Sequence, residues 1–236
     1  MSQERKVAIV TGASQGLGEG IVQAFLARGY RVVGTSRSIK PSDHPDYATV
    51  AGDIGDARTG KQVVELALQR FGRIDTLVNN AGIFIASEFT VYSQQQYEDV
   101  LRTNLDGFFH ITQQAIPAML QQGSGHIVQI TTTLVDAANS KVPSVLASLT
   151  KGGLAAATRS LAIEYASRNI RVNAVSPGII KTPMHPEHNH PVLASLHPLQ
   201  RMGEVADIAQ AVLYLEDAQF VTGEILHVDG GQVAGH

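Results

Sequence analysis

Short apolar runs rich in valine and isoleucine alternate along the chain with longer segments in which apolar residues recur every three or four positions. The first pattern is typical of buried strands and the second of amphipathic helices. Parallel strands need crossover connections, so this alternation predicts an α/β fold with a parallel sheet flanked by helices. The predicted strands are Val7–Val10, Arg31–Thr35, Thr49–Ala51, Thr76–Asn79, His126–Ile130, Arg171–Val175 and Glu224–Val228.

No composition shift, internal repeat or Ser/Gly linker divides the chain, so we expect one domain over residues 1–236. Two loops stand out in it. Ser38–Tyr47 holds two prolines, and Pro177–Gly203 is long, rich in proline and poor in periodicity. Loops longer than about 12 to 15 residues are often lids or binding loops. We therefore expect residues 177–203 to form a substrate loop.

Composition narrows the function classes. The net charge is −3 and no Lys/Arg run is present, which argues against nucleic-acid binding. No apolar stretch reaches the length of a membrane span, and the first residues lack the layout of a secretory signal. The absence of cysteine excludes a disulfide framework and fits the cytoplasm. Charged residues make up only 17 %, which favours further burial of surface in a homo-oligomer.

A glycine-rich turn, Thr11 to Gly18, follows the first strand and opens the first helix. Its spacing, Gly-x-x-x-Gly-x-Gly, differs from the commoner Gly-x-Gly-x-x-Gly, and a tight connection alone also explains such glycines. The strand–turn–helix context favours a dinucleotide site, because backbone N–H groups at a helix N-terminus bind a pyrophosphate. The fold class is then a doubly wound, Rossmann-type sheet of about seven strands with helices on both faces. The turn residues expected at the cofactor are Gly12, Ser14, Gln15, Gly16, Leu17 and Gly18.

The second strand ends in Ser36 and Arg37, where an NAD site carries an acid that binds the ribose 2′-hydroxyl. A hydroxyl and a guanidinium suit a 2′-phosphate instead. The cofactor prediction is therefore NADP(H). The alternative is that Arg37 is a solvated loop residue.

Further motifs follow in order: Asp53 after the third strand, Asn79-Asn80-Ala81-Gly82 after the fourth, Asn104 and Lys151 in helices, and Ser176-Pro177-Gly178 after the sixth strand. This ordered set resembles the short-chain dehydrogenase/reductases over essentially the whole chain. The resemblance implies that Asp53 anchors the adenine and that Pro177 to Thr182 meet the nicotinamide. The cofactor contacts implied are Asp53, Ile54, Asn80, Ala81, Gly82, Lys151, Pro177, Gly178, Ile180 and Thr182.

Two polar residues share apolar helix faces. Asn104 lies on the face of Leu101 and Leu105, so its amide points inward and needs partners. It can stabilise an irregular helix or, as the resemblance implies, anchor a water relay, and these roles are compatible. Lys151 is costly to bury without a partner. The resemblance implies that it holds the nicotinamide ribose and lowers the pKa of a tyrosine one turn earlier.

That tyrosine is absent: residue 147 is alanine, and no tyrosine lies between Tyr97 and Tyr165. Thr132 stands where the family has a catalytic serine, with Thr133 as a rival. The interval from Thr132 to Lys151 is longer than usual, which predicts a rebuilt segment at 134–144. Threonine can donate a hydrogen bond to a carbonyl oxygen, whereas alanine cannot.

Several groups are candidates to replace the phenol as proton source. They are Lys151 itself through a water held by Asn104, the Ser148 hydroxyl, Tyr92, Tyr97, and the loop histidines His185, His188, His190 and His197. Histidines can also bind a metal. We expect no metal site, because no carboxylate set or helical histidine pair fixes its geometry.

The sequence thus predicts an NADPH-dependent reductase of a small carbonyl or activated C=C substrate with an atypical proton source. Thr132 and Lys151 would polarise the substrate oxygen, and Asn104 would hold the water. The alternative is a protein that binds NADP(H) without turnover, as a sensor or assembly partner. A tetramer or dimer is the habit of the family.

Overall fold

The computed structural model describes residues 5–235 of the chain; residues 1–4 and 236, at the ends of the predicted domain, lie outside the described residues. Residues 5–235 contain the seven predicted strands, which form one parallel sheet in the order β3-β2-β1-β4-β5-β6-β7. The strands are β1 (Val7–Thr11), β2 (Arg31–Ser36), β3 (Tyr47–Ala51), β4 (Thr76–Asn79), β5 (Gly125–Ile130), β6 (Ile170–Pro177) and β7 (Ile225–Val228).

Helices cover both faces of the sheet, as expected for a doubly wound fold. They are α1 (Gly16–Ala27), α2 (Ala57–Phe71), α3 (Gln94–Leu101), α4 (Gly107–Gln122), α5 (Val145–Tyr165), α6 (His190–Ala194) and α7 (Val205–Asp217). Helices α1 and α7 pack together on one face, and α2 and α4 pack together on the other, with α5 beside them. Each face buries its own apolar cluster, because successive strand residues point to opposite sides.

Strand ends depart from the sequence prediction where neighbouring strands extend the pairing. Strand β3 begins at Tyr47, two residues before the predicted start, because Tyr47 pairs with Val32. Strand β6 continues to Pro177, which pairs with Val228. Pairing with a neighbouring strand, which no local pattern reveals, decides both ends.

Helices α3 and α4 are joined by a π-helical turn, Arg102–Asp106, instead of a loop. Capping accounts for the start of α3: the Ser93 hydroxyl accepts from the Gln96 N–H, and the Gln96 side chain accepts from the Ser93 N–H. The π turn inserts an extra residue into the helix, and such turns are frequent at functional sites. It contains Asn104.

A buried carboxylate, Glu216 near the end of α7, lies at the amino end of the sheet. It accepts hydrogen bonds from Lys6, Tyr30, Thr76 and His126 over 2.8–3.0 Å. Burial alone would raise the pKa of Glu216, but the hydrogen bond from His126, the Lys6 ammonium and the Thr76 hydroxyl outweigh it and lower the pKa to about 2. The carboxylate therefore stays ionised inside the fold.

Candidate active site

A cavity of about 590 Å³ opens at the carboxyl ends of the strands. Its walls come from residues that follow β1, β2, β4, β5 and β6, around the point where the strand order reverses between β1 and β4. Ligands of open α/β sheets bind at such a switch point. The cavity is therefore the candidate active site.

The glycine-rich turn forms one wall. Gly12 and Gly16 have φ of +67° and +59°, a left-handed conformation that favours glycine. Helix α1 starts after Gln15, and no side chain caps its first N–H groups. Uncapped N–H groups at a helix N-terminus facing a cavity suit a phosphate group. Gly12, Ser14, Gln15, Gly16 and Leu17 line the cavity.

Gly18, expected among the cofactor contacts, is not among the cavity-lining residues described. A Cβ on Gly18 would lie 2.1 Å from the Gly12 carbonyl oxygen. Gly18 is buried because the start of α1 packs directly against the glycine-rich turn. A glycine at this position therefore allows close packing of the backbone.

Asn80 ties the ends of β1 and β4 together. Its Nδ2 donates to the Thr11 carbonyl oxygen at 2.8 Å, and its backbone N–H donates to the Thr11 hydroxyl at 3.0 Å. The Ala81 N–H donates to the same hydroxyl at 2.9 Å. This network fixes the two strand ends that bracket the switch point, and Asn80, Ala81 and Gly82 line the cavity.

The end of β2 offers unengaged polar groups. The buried Thr35 hydroxyl has no hydrogen-bond partner within the described chain, and Thr35 lines the cavity. Arg37 is exposed beside it, with no ion pair or hydrogen bond to residues 5–235. The Ser36 hydroxyl accepts from the Ser38 N–H at 3.3 Å and keeps its own proton. A guanidinium without a partner next to hydroxyl groups suits a phosphate.

Asp53 and Ile54 line the cavity near Arg37. Asp53 accepts from the Gly55 N–H at 2.9 Å and pairs with Arg102 at 3.1 Å. These contacts orient the Asp53 carboxylate at the cavity wall. At the opposite end, Pro177, Gly178, Ile180 and Thr182 line the cavity, which places the predicted nicotinamide segment there.

Lys151 lies at the floor of the cavity. Its Nζ donates to the Ile130 carbonyl oxygen at 2.7 Å, at the end of β5. Burial lowers the pKa of Lys151 to about 8, because the charged form loses hydration. Ala147, one helical turn earlier on α5, also lines the cavity, and its side chain is a single methyl group.

Asn104 is buried, and its side-chain amide has partners on both atoms. Its Oδ1 accepts from the Ile83 N–H at 2.9 Å, and its Nδ2 donates to the Ile83 carbonyl oxygen and the Thr150 hydroxyl, both at 3.1 Å. A Cβ on Gly82 would lie 3.3 Å from Asn104 Oδ1 and 3.0 Å from Lys151 Nζ. Asn104 Oδ1 and Lys151 Nζ therefore both lie next to Gly82. Asn104 Oδ1 can accept one further hydrogen bond on the side of the Lys151 ammonium.

Three consecutive threonines follow β5 and line the cavity. The Thr131 hydroxyl donates to the Val175 carbonyl oxygen at 3.1 Å, and the Thr133 hydroxyl donates to Gln232 at 3.1 Å. The Thr132 hydroxyl only accepts, from the Leu134 N–H at 3.4 Å. Among the described contacts, Thr132 alone of the three keeps its hydroxyl proton for a ligand.

Most of the other proton sources considered from the sequence are engaged elsewhere. The Ser148 hydroxyl donates to the Leu134 carbonyl oxygen at 2.9 Å, and the Tyr92 hydroxyl donates to the Ile85 carbonyl oxygen at 2.8 Å. Neither these two residues nor Tyr97 belongs to the described cavity lining.

The four loop histidines are placed differently from one another. His185 lines the cavity, His188 is exposed, and His190 Nε2 lies 3.0 Å from the His185 carbonyl oxygen. His197 is buried, and its Nε2 accepts from the Ile179 N–H at 3.0 Å. Desolvation lowers the pKa of His185 and of His197. Within residues 5–235 no group of three or more metal-ligating side chains comes together.

Sequence reasoning missed some of the lining, above all Thr35, Phe84 and Gln232. It did not single out Met184, which lies within the predicted substrate loop. Thr35 lies two positions before the predicted Arg37, and residues two apart in a strand share a face, so strand alternation offered a signal. Gln232 carries no such signal, because its contacts lie far away in the chain.

Comparison with known proteins agrees with this geometry. A family model described as enoyl-(acyl carrier protein) reductase matches residues 12–232. The chain belongs to the short-chain dehydrogenase/reductase family of NAD(P)-dependent oxidoreductases. It is 35 % identical over 247 residues to a 3-oxoacyl-[acyl-carrier-protein] reductase, FabG, of Thermotoga maritima, with 99 % of this chain and 100 % of the relative covered. FabG of Escherichia coli strain K12 is 35 % identical, with 98 % of each chain covered.

Solved structures share the fold. ElxO with NADP bound superposes with a TM-score of 0.92 at 28 % identity, covering 98 % of this chain and 100 % of that one. The ligand-free aldohexose dehydrogenase of Thermoplasma acidophilum gives 0.91 at 29 % identity, covering 99 % and 96 %. Within the described part of the chain, no helix is both long and apolar enough to cross a membrane.

Proposed function

We propose that this protein is an NADPH-dependent reductase of a small carbonyl or activated C=C substrate in which Lys151 replaces the tyrosine of its family as proton donor. The observation that carries the proposal is the half-buried Lys151 ammonium at the cavity floor, one helical turn after Ala147, with a pKa lowered to about 8. A general acid works best when its pKa lies near the working pH. Lys151 meets that condition without a phenol.

The cofactor is NADP(H). The uncapped start of α1, the unpartnered Thr35 hydroxyl and the free Arg37 guanidinium fit its phosphates, and ElxO binds NADP in the same fold. When bound, the nicotinamide supplies the hydride. Arg37 and Ser36 hold the 2′-phosphate, and Pro177 to Thr182 bound the nicotinamide end of the cavity.

The substrate oxygen is held by Thr132, whose hydroxyl proton is free to donate. The ammonium of Lys151 would transfer a proton to the alkoxide that develops on the substrate oxygen, either directly or through one water that donates a hydrogen bond to Asn104 Oδ1. Lys151 becomes a neutral amine and regains its proton from water in the open cavity. For an activated C=C substrate, the proton goes to the carbon next to the carbonyl group.

Phe84, Met184 and Leu193 give the substrate end of the cavity an apolar lining, and His185 adds a polar group. This chemistry favours a compact ketone with a second oxygen function. The FabG relatives act on 3-oxoacyl groups attached to a carrier protein, so short 3-oxoacyl thioesters belong in the first substrate panel.

A pair of substitutions at position 147 tests the proposal. Ala147→Tyr restores a phenol one turn before Lys151, and Ala147→Phe adds the same ring without the hydroxyl. We expect kcat of Ala147→Tyr for simple ketones to exceed that of Ala147→Phe by less than about 10-fold, because Lys151 already supplies the proton and the phenol adds little to a general acid that is present. Stopped-flow oxidation of NADPH measures it.

A gain of about 100-fold or more in Ala147→Tyr over Ala147→Phe would show that the unchanged protein lacks an effective general acid, and would contradict the role of Lys151. In the unchanged protein, kcat must fall as the pH rises through about 8, because the neutral amine has no proton to donate. A pH-independent kcat between 6 and 10 would contradict the role of Lys151.

One observation favours a second candidate function. The methyl group of Ala147 donates nothing, so the site can hold NADP(H) without turning over and act as a sensor or assembly partner. Tight NADPH binding by fluorescence titration, with no oxidation of NADPH by ketoesters, diketones, quinones, aldehydes or thioesters, would establish that alternative.

We also propose that the chain works as one domain in the cytoplasm and assembles into a tetramer or dimer. Exposed apolar side chains on the outer sides of α4 and α5, including Phe109, Leu149 and Ile163, support assembly. Analytical ultracentrifugation measures the oligomeric state directly.

A further inference from the structure

The segment after β7 returns to the cavity. Asp229 folds it into a tight turn, because one carboxylate oxygen accepts from the Gly231 N–H and the other from the Val233 N–H, both at 2.9 Å. The turn holds Gln232 in a fixed place, and Gln232 lines the cavity. This position is distant from both the glycine-rich turn and Lys151 in the chain.

The Gln232 amide joins two walls of the cavity. Its Oε1 accepts from the Thr133 hydroxyl at 3.1 Å, and its Nε2 donates to the Leu196 carbonyl oxygen at 3.2 Å. Thr133 belongs to the threonine segment that follows β5, whereas Leu196 belongs to the substrate loop, residues 177–203. One side chain thus bridges the reaction centre and the loop.

The surrounding packing strengthens this junction. The Leu199 N–H donates to the Gly230 carbonyl oxygen at 3.1 Å, and a Cβ on Gly231 would lie 3.2 Å from Pro198. The far end of the loop is therefore seated on the turn after β7. The base of the loop is closed separately, by a bridge between Ile180 and Gly203.

We propose that Gln232 is a positioning residue that fastens the substrate loop to the threonine segment and thereby sets the affinity for substrate. The loop residues that line the cavity, Met184, His185 and Leu193, lie between the two attachment points, so their placement depends on both. By engaging Thr133, Gln232 also leaves Thr132 as the threonine that faces substrate. The kinetic part of this inference rests on the proposed reductase function.

The test compares Gln232→Leu, which keeps the size of the side chain and removes both hydrogen bonds, with Gln69→Leu on the exposed face of α2 as a matched control. We expect the backbone amides of residues 193–199 to exchange hydrogen about 10-fold faster in Gln232→Leu than in Gln69→Leu, with the amides of the sheet unchanged. This measurement needs neither cofactor nor substrate.

In steady-state assays with a short 3-oxoacyl thioester, Gln232→Leu should raise KM about 10-fold while kcat changes less than about twofold. Gln232→Glu keeps the acceptor for Thr133 but loses the donor to Leu196, so it should show the same fast exchange. Thr133→Val combined with Gln232→Leu should add little to KM, because the two residues act through one hydrogen bond.

Unchanged hydrogen exchange at residues 193–199 in Gln232→Leu would overturn the proposal, because Gln232 would then not fasten the loop. Fast exchange with an unchanged KM would overturn it too, because the loop would then not control substrate affinity. If the unchanged protein turns over none of the substrates, the proposed function has failed instead. Exchange in Gln232→Leu then still decides whether the residue fastens the loop.

Discussion

Replacing Lys151 by methionine should abolish carbonyl reduction and at the same time stabilise the folded protein. Methionine has a similar length, carries no charge and needs no partner. A half-buried ammonium with its pKa lowered from 10.5 to about 8 destabilises the native state at neutral pH, because folding must hold the charge in poorly hydrated surroundings. Removing the ammonium removes that penalty.

The lowered pKa of Lys151 corresponds to at most about 3 kcal/mol, since one pKa unit is about 1.4 kcal/mol. Water in the cavity reaches part of the side chain, so we take about half of that value. Loss of the hydrogen bond to the Ile130 carbonyl oxygen offsets some of the gain. We therefore expect Lys151→Met to raise the free energy of unfolding by about 1 kcal/mol at pH 7.

The dependence on pH identifies the cause. Between pH 8 and 10.5 the unfolded chain keeps the Lys151 proton while the native protein loses it, so native stability rises with pH in that window. The free energy of unfolding of Lys151→Met should exceed that of the parent protein by a constant amount below pH 8, and this difference should disappear towards pH 10.5. Urea unfolding followed by circular dichroism at pH 7, 9 and 10.5 measures it.

A destabilised Lys151→Met protein at pH 7 would refute the reasoning. A stability difference that stays constant up to pH 10.5 would refute it too, because the gain would then come from packing and not from the charge. Lys151→Arg serves as the control, since arginine stays charged throughout the range and should show no such convergence.

Two further predictions concern charge elsewhere in the molecule. The lowering of the Glu216 pKa from 4.5 to about 2 adds about 3 kcal/mol to the free energy of unfolding above pH 4.5, and this contribution is lost as the pH falls towards 2. The free energy of unfolding of Glu216→Gln should therefore fall less steeply between pH 4.5 and 2. A slope equal to that of the parent protein would contradict the network. Arg37→Ala should weaken NADPH binding about 10- to 100-fold and leave NADH binding unchanged, because only NADPH carries the 2′-phosphate. Fluorescence titration measures both affinities, and the same NADPH affinity in Arg37→Ala and the parent protein would rule out that contact.

Much of the fold was predictable because buried parallel strands are continuous apolar runs and their crossover helices have a strong period. The order of the motifs also located the cavity: the turn at Gly12 and Gly16 and the buried Lys151 are all at one edge of the sheet. Their roles in binding and catalysis stay predictions. Strand ends such as Tyr47 depended on a neighbouring strand and were less predictable.

The contacts that shape the substrate end were not predictable in the same way. Gln232 bonds to residues 36 and 99 positions away, and no local pattern relates them. The sequence likewise placed Asn104 on an inward helix face and offered an irregular helix as one of its roles. The apolar period did not locate the π turn itself, because one extra residue in a helix hardly disturbs that period over so short a segment.

That π turn limits which changes in chain length the protein tolerates. Deleting one residue from 102–106 would leave an ordinary helix, yet it would rotate one side of the junction by about 100° relative to the other. Asn104 would then swing away from Ile83 and Thr150, and the segment after β4 would separate from α5. Insertions and deletions that a surface loop accepts are thus forbidden here, although the stretch is helical and its secondary structure would survive.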